Sequence, residues 1–168
     1  MPRGRVRQHP PRKARDASYE FGGIFRAPLP FVYRWCLDYS PDDPRLEGSD
    51  SVRKIASRSA REVIYEDLEE GPSGWMWSHI VVTKRPPNAW HAEITGSHRH
   101  WSLDYELREL PHGRTQLAVR GLRRPTELGG ANPSRTELEP ELNQMWKNYG
   151  RALERDYRRA AGRRRRRG

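Results

Sequence analysis

The stretch from Ser134 to Ala160 carries the longest regular pattern of this 168-residue chain and constrains the fold most. Its apolar residues recur at steps of three and four, which predicts one continuous stripe on an α-helix: Leu138, Leu142, Met145, Trp146, Tyr149, Ala152, Leu153 and Tyr157. The residues between them suit a water-facing surface: Glu139, Glu141, Asn143, Lys147, Asn148, Arg151, Glu154 and Arg155. At ~1.5 Å per residue the helix would be about 40 Å long. It therefore needs a broad apolar surface to pack against.

The start of this helix has a recognisable cap. Ser134 can accept backbone N–H groups as the N-cap residue, and Glu137 three positions later completes a capping box. Acidic residues crowd the first turns and arginines the last ones, as the helix dipole favours.

The residues before the helix predict the surface that it needs. Alternating apolar residues over 18–27 predict a strand, and helical spacing from Leu29 predicts a short helix that ends near Ser40 and Pro41. Residues 41–51 are polar and turn-rich, which indicates a loop or an irregular helical turn. Strands are then predicted over 52–59, 62–69, 75–84, 89–95, 101–108 and 114–123, followed by a loop over 124–133.

Short turns between consecutive strands favour an antiparallel meander. One sheet face packed under a helix makes an α+β domain. We therefore expect a curved antiparallel sheet of about six to seven strands gripping a long C-terminal helix, with a short helix after the first strand.

The charge of the chain lies in its two ends. Residues 1–16 carry six basic residues and one acid, residues 163–167 are five arginines, and residues 17–162 carry 21 basic and 21 acidic residues. We predict a disordered basic tail over 1–17, a domain over 18–160 and an arginine-rich tail over 161–168. No secretory signal or membrane-spanning run is visible, and a single cysteine fits a reducing compartment. The sequence thus predicts a cytoplasmic protein.

Four stretches of this chain resemble the helix-grip superfamily (SRPBCC), which includes START lipid-transfer domains, the birch-pollen allergen and polyketide cyclase/dehydrase proteins. They are RAPLPFVYRWCLDY after the first strand, the KRPPNAWHAEITG hairpin, the WSLDYELREL-PHG-RTQLAVRG hairpin and the terminal helix. The resemblance covers residues 18–160. It implies a cavity for an apolar ligand between sheet and helix, and it carries no set of catalytic residues onto this chain.

The predicted cavity would be lined by aromatic and aliphatic residues of the sheet and the long helix, since ligand pockets are mostly apolar with a few polar groups. The candidates are Trp77, Trp90, Ile94, Trp101, Leu103, Tyr105, Leu117, Val119, Leu142, Met145, Trp146 and Tyr149. The alternative for each tryptophan is that it fills the core.

The candidates for acid–base chemistry are His79, His91, Glu93 and Tyr105, provided that they point into the cavity. Hairpin register decides this, and sequence alone does not give the register. His98 and His100 would share one side of an extended segment, but no third ligand completes a metal site. We therefore expect no metal and no cofactor.

Other routes to catalysis have weak support in the sequence. Cys36 falls on the apolar side of the short helix, which indicates packing rather than a nucleophile. The chain has no phosphate-binding glycine loop, no nucleophile-elbow serine motif and no metalloprotease motif.

The arginines of the C-terminal run, Arg163, Arg164, Arg165, Arg166 and Arg167, could neutralise the phosphates of a nucleic acid or of an anionic membrane surface. The alternative is a solvated tail with no phosphate partner. The whole chain has 28 arginines and only 4 lysines, so a run of arginines can reflect this general preference for arginine and not selection for phosphate contact.

Three functions remain open at this point. The first is binding or transport of a hydrophobic small molecule, lipid or polyketide-like. The second is a cyclase/dehydratase-type enzyme that uses the same cavity. The third is an adaptor whose arginine-rich tails bind nucleic acid. We favour the first, because the predicted aromatic lining and the family resemblance both indicate it.

Overall fold

The computed structural model describes residues 15–71 and 74–165. Its elements are β1 (Ala17–Phe25), α1 (Leu29–Cys36), α2 (Asp43–Glu47), β2 (Val52–Arg58), β3 (Glu62–Gly71), β4 (Gly74–Arg85), β5 (Ala89–Gly96), β6 (Arg99–Leu110), β7 (Arg114–Pro125) and α3 (Arg135–Arg165). In the described part of the chain, no helix is long and apolar enough to cross a membrane.

All seven strands form one antiparallel sheet in the order β1-β7-β6-β5-β4-β3-β2. Strands β2 to β7 each pair with their neighbour in sequence, which is the predicted meander. β1 joins the sheet beside β7, so the first and last strands lie next to each other. The α+β architecture, with a curved sheet and a long C-terminal helix, is confirmed.

Alternation along β6 and β7 decides which residues face the core. Leu103 and Leu107 are buried on β6, whereas Asp104 and Arg108 between and beyond them are exposed. The two strands join through a three-residue turn in which His112 and Gly113 have φ of 63° and 65°. Glycine adopts this left-handed conformation without steric cost, which explains the tight hairpin predicted here.

The long helix α3 lies on the concave face of the sheet. Trp146, Ala152 and Leu153 of its apolar stripe are buried, and the other stripe residues are partly buried against the same core. At its start the Ser134 backbone N–H and hydroxyl both donate to the Glu137 carboxylate, at 2.8 and 2.7 Å. The Glu137 half of the capping box therefore forms, while the Ser134 hydroxyl acts as donor. The helix continues five residues beyond Ala160, to Arg165.

Three polar residues that the helical pattern assigned to the water-facing surface contact the free edge of β1 instead. The Glu139 carboxylate accepts from Glu20 N at 2.8 Å, and the Asn143 side-chain oxygen accepts from Gly22 N at 3.0 Å. Glu154 likewise accepts from the backbone N–H of Arg26, the residue directly after β1, at 2.9 Å. An unpaired strand edge needs such partners, so this row of α3 fixes the helix against β1.

The two short helices complete the wall opposite the sheet. In α1, Pro30 occupies the first turn, where its missing N–H costs nothing. The polar segment after it forms the five-residue α2, which ends at Gly48 with φ of 76°. Both helices contact α3: the Trp35 indole donates to Asp156 at 3.2 Å, and the Tyr149 hydroxyl donates to Glu47.

Candidate functional site

A cavity of about 600 Å³ lies between the concave face of the sheet and helices α1, α2 and α3. Nine of the twelve predicted lining residues border it: Trp90, Ile94, Trp101, Leu103, Tyr105, Leu142, Met145, Trp146 and Tyr149. Leu117 and Val119 face the same side but lie within the packed core, away from the cavity wall. The apolar wall also includes residues that sequence reasoning did not select, among them Phe21, Trp35, Tyr39, Leu46, Tyr65 and Ile80.

Aromatic rings form one continuous wall of this cavity. Trp90 and Tyr105, directly opposite each other on β5 and β6, stack with centroids 4.7 Å apart and planes 10° apart. Tyr105 then meets Trp146 edge-on at 6.2 Å, and Trp146 contacts Tyr149 at 5.2 Å. Offset and edge-on contacts of this kind are the favoured geometries for aromatic pairs. These rings give the cavity a mostly apolar wall.

Trp77 lies on the opposite, convex face of the sheet and does not reach the cavity. It pairs with Leu68 of β3, which pairs with Val52 of β2, and all three side chains are exposed. Trp75, two residues earlier on β4, is exposed as well. The strand phase explains this placement, because Ile80 and Val82 occupy the buried positions of β4.

Of the four acid–base candidates, only Tyr105 lines the cavity. His79 lies on the convex face with its ring 3.8 Å from Glu66, and His91 and Glu93 lie on that face too. The expected convergence of two such groups inside the cavity is therefore not met. Burial first, and then the carboxylate of Glu47, raise the pKa of Tyr105, so its phenol keeps its proton.

His91, on the convex face, belongs to a network of hydrogen-bonded polar side chains. His91 Nδ1 is 2.8 Å from Asp104, its Nε2 is 2.8 Å from Glu93, and the Ser102 hydroxyl donates to Glu93 at 2.7 Å. In a nucleophilic triad the imidazole must take the proton of the serine. Here both ring nitrogens are held by carboxylates, so this cluster cannot work as a triad.

A buried arginine cluster forms the polar part of the cavity wall. Arg53 has a side chain only 4% exposed and donates two hydrogen bonds of 2.8 Å to Asp67. Asp43 and Glu47 lie 3.4 and 3.3 Å from the same guanidinium, which also stacks 4.4 Å from the ring centroid of Tyr65. Three carboxylates thus surround one buried cation.

Helices α2 and α3 meet at this cluster. The Tyr149 hydroxyl donates to the Glu47 carboxylate, and burial and that carboxylate together raise the pKa of Tyr149. Cys36 also lines the cavity, where burial followed by the charge of Asp43 raises the pKa of its thiol. A protonated thiol is a poor nucleophile, in agreement with the predicted packing role.

Two further arginines, Arg99 and Arg123, border the cavity near the start of β6 and the end of β7. Arg123 is 9% exposed and lies 5.9 Å from the ring centroid of Trp101. Sequence reasoning missed both, although Arg123 continues the inward-facing positions 117, 119 and 121 of β7. Neither was selected, because only apolar residues were considered as lining of the predicted cavity.

Two further sequence predictions concern a metal site and the C-terminal arginine run. Within residues 15–71 and 74–165, no group of three or more histidine, cysteine or acidic side chains could hold a metal ion. In the arginine run, Arg163 is exposed on the last turns of α3, and Arg164 and Arg165 continue the helix. Arg166 and Arg167 lie outside the described residues, and nucleic-acid binding by this run stays a prediction.

Solved structures share this architecture across most of the chain. The Zhui aromatase/cyclase from Streptomyces sp. R1128 is 13% identical, with a TM-score of 0.63 over 88% of this chain and 96% of that one. A START superfamily protein from Mycobacterium smegmatis is 12% identical, with a TM-score of 0.61 over 85% and 98%. Ara h 8.0201 is 11% identical, with a TM-score of 0.61 over 84% and 97%.

The chain accordingly has a helix-grip fold, as the sequence resemblance implied. At these identities the likeness establishes the fold and nothing about chemistry. No protein-family model and no curated protein matches the sequence.

Proposed function

We propose that this protein binds a hydrophobic small molecule, lipid or polyketide-like, in the cavity between the sheet and α3. The observation that carries the proposal is the size and lining of that cavity. About 600 Å³ of space bordered by Trp90, Trp101, Tyr105 and Trp146 is within the usual range for small-molecule sites. A purely structural core would fill this space with side chains, because protein interiors pack at crystal-like density.

Binding or transport is better supported than a cyclase/dehydratase reaction. Such a reaction needs at least two acid–base groups within reach of one ligand. Of the four predicted groups only Tyr105 borders the cavity, and burial keeps its phenol protonated. The Glu47–Tyr149 pair is already engaged in its own hydrogen bond and in contact with Arg53. The named aromatase/cyclase neighbour therefore supports the shape of the site and not its chemistry.

The first experiment is native mass spectrometry of the freshly purified protein, followed by organic extraction of whatever it carries. We expect a co-purified apolar molecule at close to one per chain. The second is a fluorescence titration with N-phenyl-1-naphthylamine, a neutral hydrophobic probe that brightens in apolar sites. We expect saturable binding with one site per chain.

Blocking the cavity supplies the decisive comparison. Ile94→Trp combined with Leu142→Trp puts larger side chains on its sheet wall and its helix wall, and should abolish probe binding. Thr95→Trp combined with Lys147→Trp makes the same changes at exposed neighbouring positions and should leave binding intact. Equal probe binding by both double variants would place the probe elsewhere and refute the proposal.

A further inference from the structure

The register of the sheet places the charged residues of its own strands at one end of the cavity. Arg53 pairs with Asp67, Asp67 with Ser78, and Ser78 with Gly96, so these residues form a row across four strands. Arg99 begins β6 just after the turn that follows Gly96. The sheet wall of the cavity is therefore charged at this end, whereas other charged lining residues, such as Glu141 and Asp156, come from α3.

The stacked aromatic pair lies at the other end. Trp90 is opposite Lys84, six residues along β4 from Ser78, and it pairs with Tyr105 on the next strand. At ~3.3 Å per residue this separates the two ends by about 20 Å. The sheet wall of the cavity thus runs from a charged end to an aromatic end, which suits an elongated amphipathic ligand.

The arginines at the charged end of the cavity differ in whether a carboxylate neutralises their charge. Arg53 is surrounded by the carboxylates of Asp43, Glu47 and Asp67, so its charge is already neutralised. Arg123 is nine-tenths buried, and its Nε and Nη1 are buried without a hydrogen-bond partner. Among the described residues, no carboxylate lies within ion-pair distance of the Arg123 guanidinium.

Arg99 adds a second positive charge beside the first. It lines the same cavity, and no acidic side chain in the described ranges forms an ion pair with it. Arg99 is solvent-exposed, so the unpaired buried charge is that of Arg123, and Arg99 adds a second positive charge beside it. A buried charge without a counter-ion is costly, since buried charges are normally paired.

We propose that the ligand is an anionic amphiphile, a hydrophobic molecule with one carboxylate or an equivalent oxyanion held by Arg123 and Arg99. This inference rests on the proposed function, because it names the ligand class of the same cavity. The ligand anion supplies the counter-ion that the protein does not, while the ring wall around Trp90 holds the apolar part. Guanidinium groups bind oxyanions through strong charge-assisted hydrogen bonds.

A matched pair of probes tests the charge requirement directly. 1-Anilinonaphthalene-8-sulfonate and N-phenyl-1-naphthylamine share the anilinonaphthalene body, and only the former carries a sulfonate. Fluorescence titrations give the dissociation constant of each probe for the wild type, Arg123→Met and Arg99→Met. The control is Arg124→Met, the next residue of β7, whose side chain is 54% exposed on the convex face beside Asp16.

We expect Arg123→Met to weaken the sulfonate probe by about tenfold or more, and to change the neutral probe by less than about twofold. Arg99→Met should weaken the sulfonate probe selectively too, and Arg124→Met should alter neither. Equal losses for both probes, or an equal loss in Arg124→Met, would overturn the anionic subsite while leaving the apolar cavity in place. Failure of the neutral probe to bind the wild type would instead overturn the proposed function.

A conservative variant covers the case in which Arg123→Met does not fold. Arg123→Lys keeps the charge with a side chain that is easily accommodated, and should retain most of the preference for the sulfonate probe. If Arg123→Met does not fold, Arg99→Met and Arg123→Lys still decide the matter. An unchanged preference for the sulfonate probe in Arg99→Met, together with equal losses for both probes in Arg123→Lys, would refute the subsite.

Discussion

The hydroxyl of Tyr149 on α3 donates a hydrogen bond to the carboxylate of Glu47 on α2, joining two residues that are 102 positions apart in the sequence. Glu47 also contacts Arg53 on the edge strand β2. The long helix, the short helix and the sheet are therefore tied together at the polar end of the cavity. This tie holds α2 over the cavity, although α2 itself is only five residues long.

Tyr149→Phe removes this tie without changing the ring. We expect the free energy of unfolding to fall by about 2 kcal/mol, as for other hydrogen bonds to a charged group. Urea denaturation monitored by circular dichroism measures it. Tyr157→Phe is the matched control on the same helix, because its ring packs edge-on against Phe31 and its hydroxyl has no hydrogen-bond partner among the described residues. An equal loss in both variants would contradict the role of the Glu47 contact.

Arg53→Met tests whether the buried cation is required to hold its carboxylates. Without it Asp67, Asp43 and Glu47 would lose their shared counter-ion in a largely buried part of the cavity wall. Removing one partner from a buried ion pair costs about 3 kcal/mol or more, so the variant should unfold at clearly lower urea concentration.

The control for this change is Lys54→Met, at the next residue of β2, where the side chain is exposed. A surface substitution of this kind should alter the unfolding free energy by less than about 0.5 kcal/mol. If Arg53→Met were as stable as Lys54→Met, the three carboxylates would not depend on the guanidinium.

Asn143→Ala tests the contact between α3 and the free edge of β1. Alanine favours the helix, but it cannot accept the hydrogen bond from the Gly22 backbone N–H. We expect the Gly22 amide to exchange with solvent about tenfold faster, as the loss of one hydrogen bond implies. Hydrogen exchange followed by NMR measures this. Asn148→Ala, which removes only a contact with Gln144 on the helix surface, should leave Gly22 exchange unchanged.

The sequence patterns that predicted the fold are those in which one face is apolar and the other is not. The alternation of Leu103 and Leu107 with Asp104 and Arg108 on β6 has only one orientation that buries the leucines. The stripe of α3 is similar, since Trp146 and Leu153 recur at helical spacing and both are buried. Hydrophobic burial decides such elements, and it can be anticipated from residue spacing alone.

In β4 the residues of both alternating sets are apolar, so the sequence pattern does not show which set faces the cavity. Trp77 and Val81 alternate with Ile80 and Val82, so either set could face the cavity. Pairing with β3 places Trp77 next to Leu68 on the convex face. The register that decides this depends on the whole sheet, and so His79, on the same phase as Trp77, also points away from the cavity.

The polar residues of the cavity were missed for a different reason. Arg53 and Arg123 occupy inward-facing positions of their strands, where apolar residues are expected. Burial of Arg53 depends on Asp67, Asp43 and Glu47, which come from two other elements and meet only in the fold. Patterns within one strand contain no information on such partners, and functional sites are where local rules are most often broken.

The cap of α3 yields the last prediction, a pH dependence. Hydrogen bonds from the Ser134 hydroxyl and backbone N–H lower the pKa of Glu137 below its usual value of 4.5. Because the folded-state pKa is the lower one, the charge of Glu137 stabilises the folded state above pH 4.5, and this contribution is lost as the pH falls through the lowered value. Glu137→Gln keeps an oxygen acceptor but has no charge to lose. The wild type should therefore be more stable than this variant at pH 7, and the difference should shrink as the pH falls below 4.5 and through the lowered pKa of Glu137.

Urea denaturation of both proteins across this pH range measures the difference. Glu141→Gln, at an exposed position further along the same helix, is the control, and it should show a smaller difference at pH 7 because the dipole effect is confined to the first turn. A stability difference between wild type and Glu137→Gln that did not diminish with falling pH would mean that the glutamine alters packing at the cap. The charge of Glu137 would then have no part in holding the start of α3.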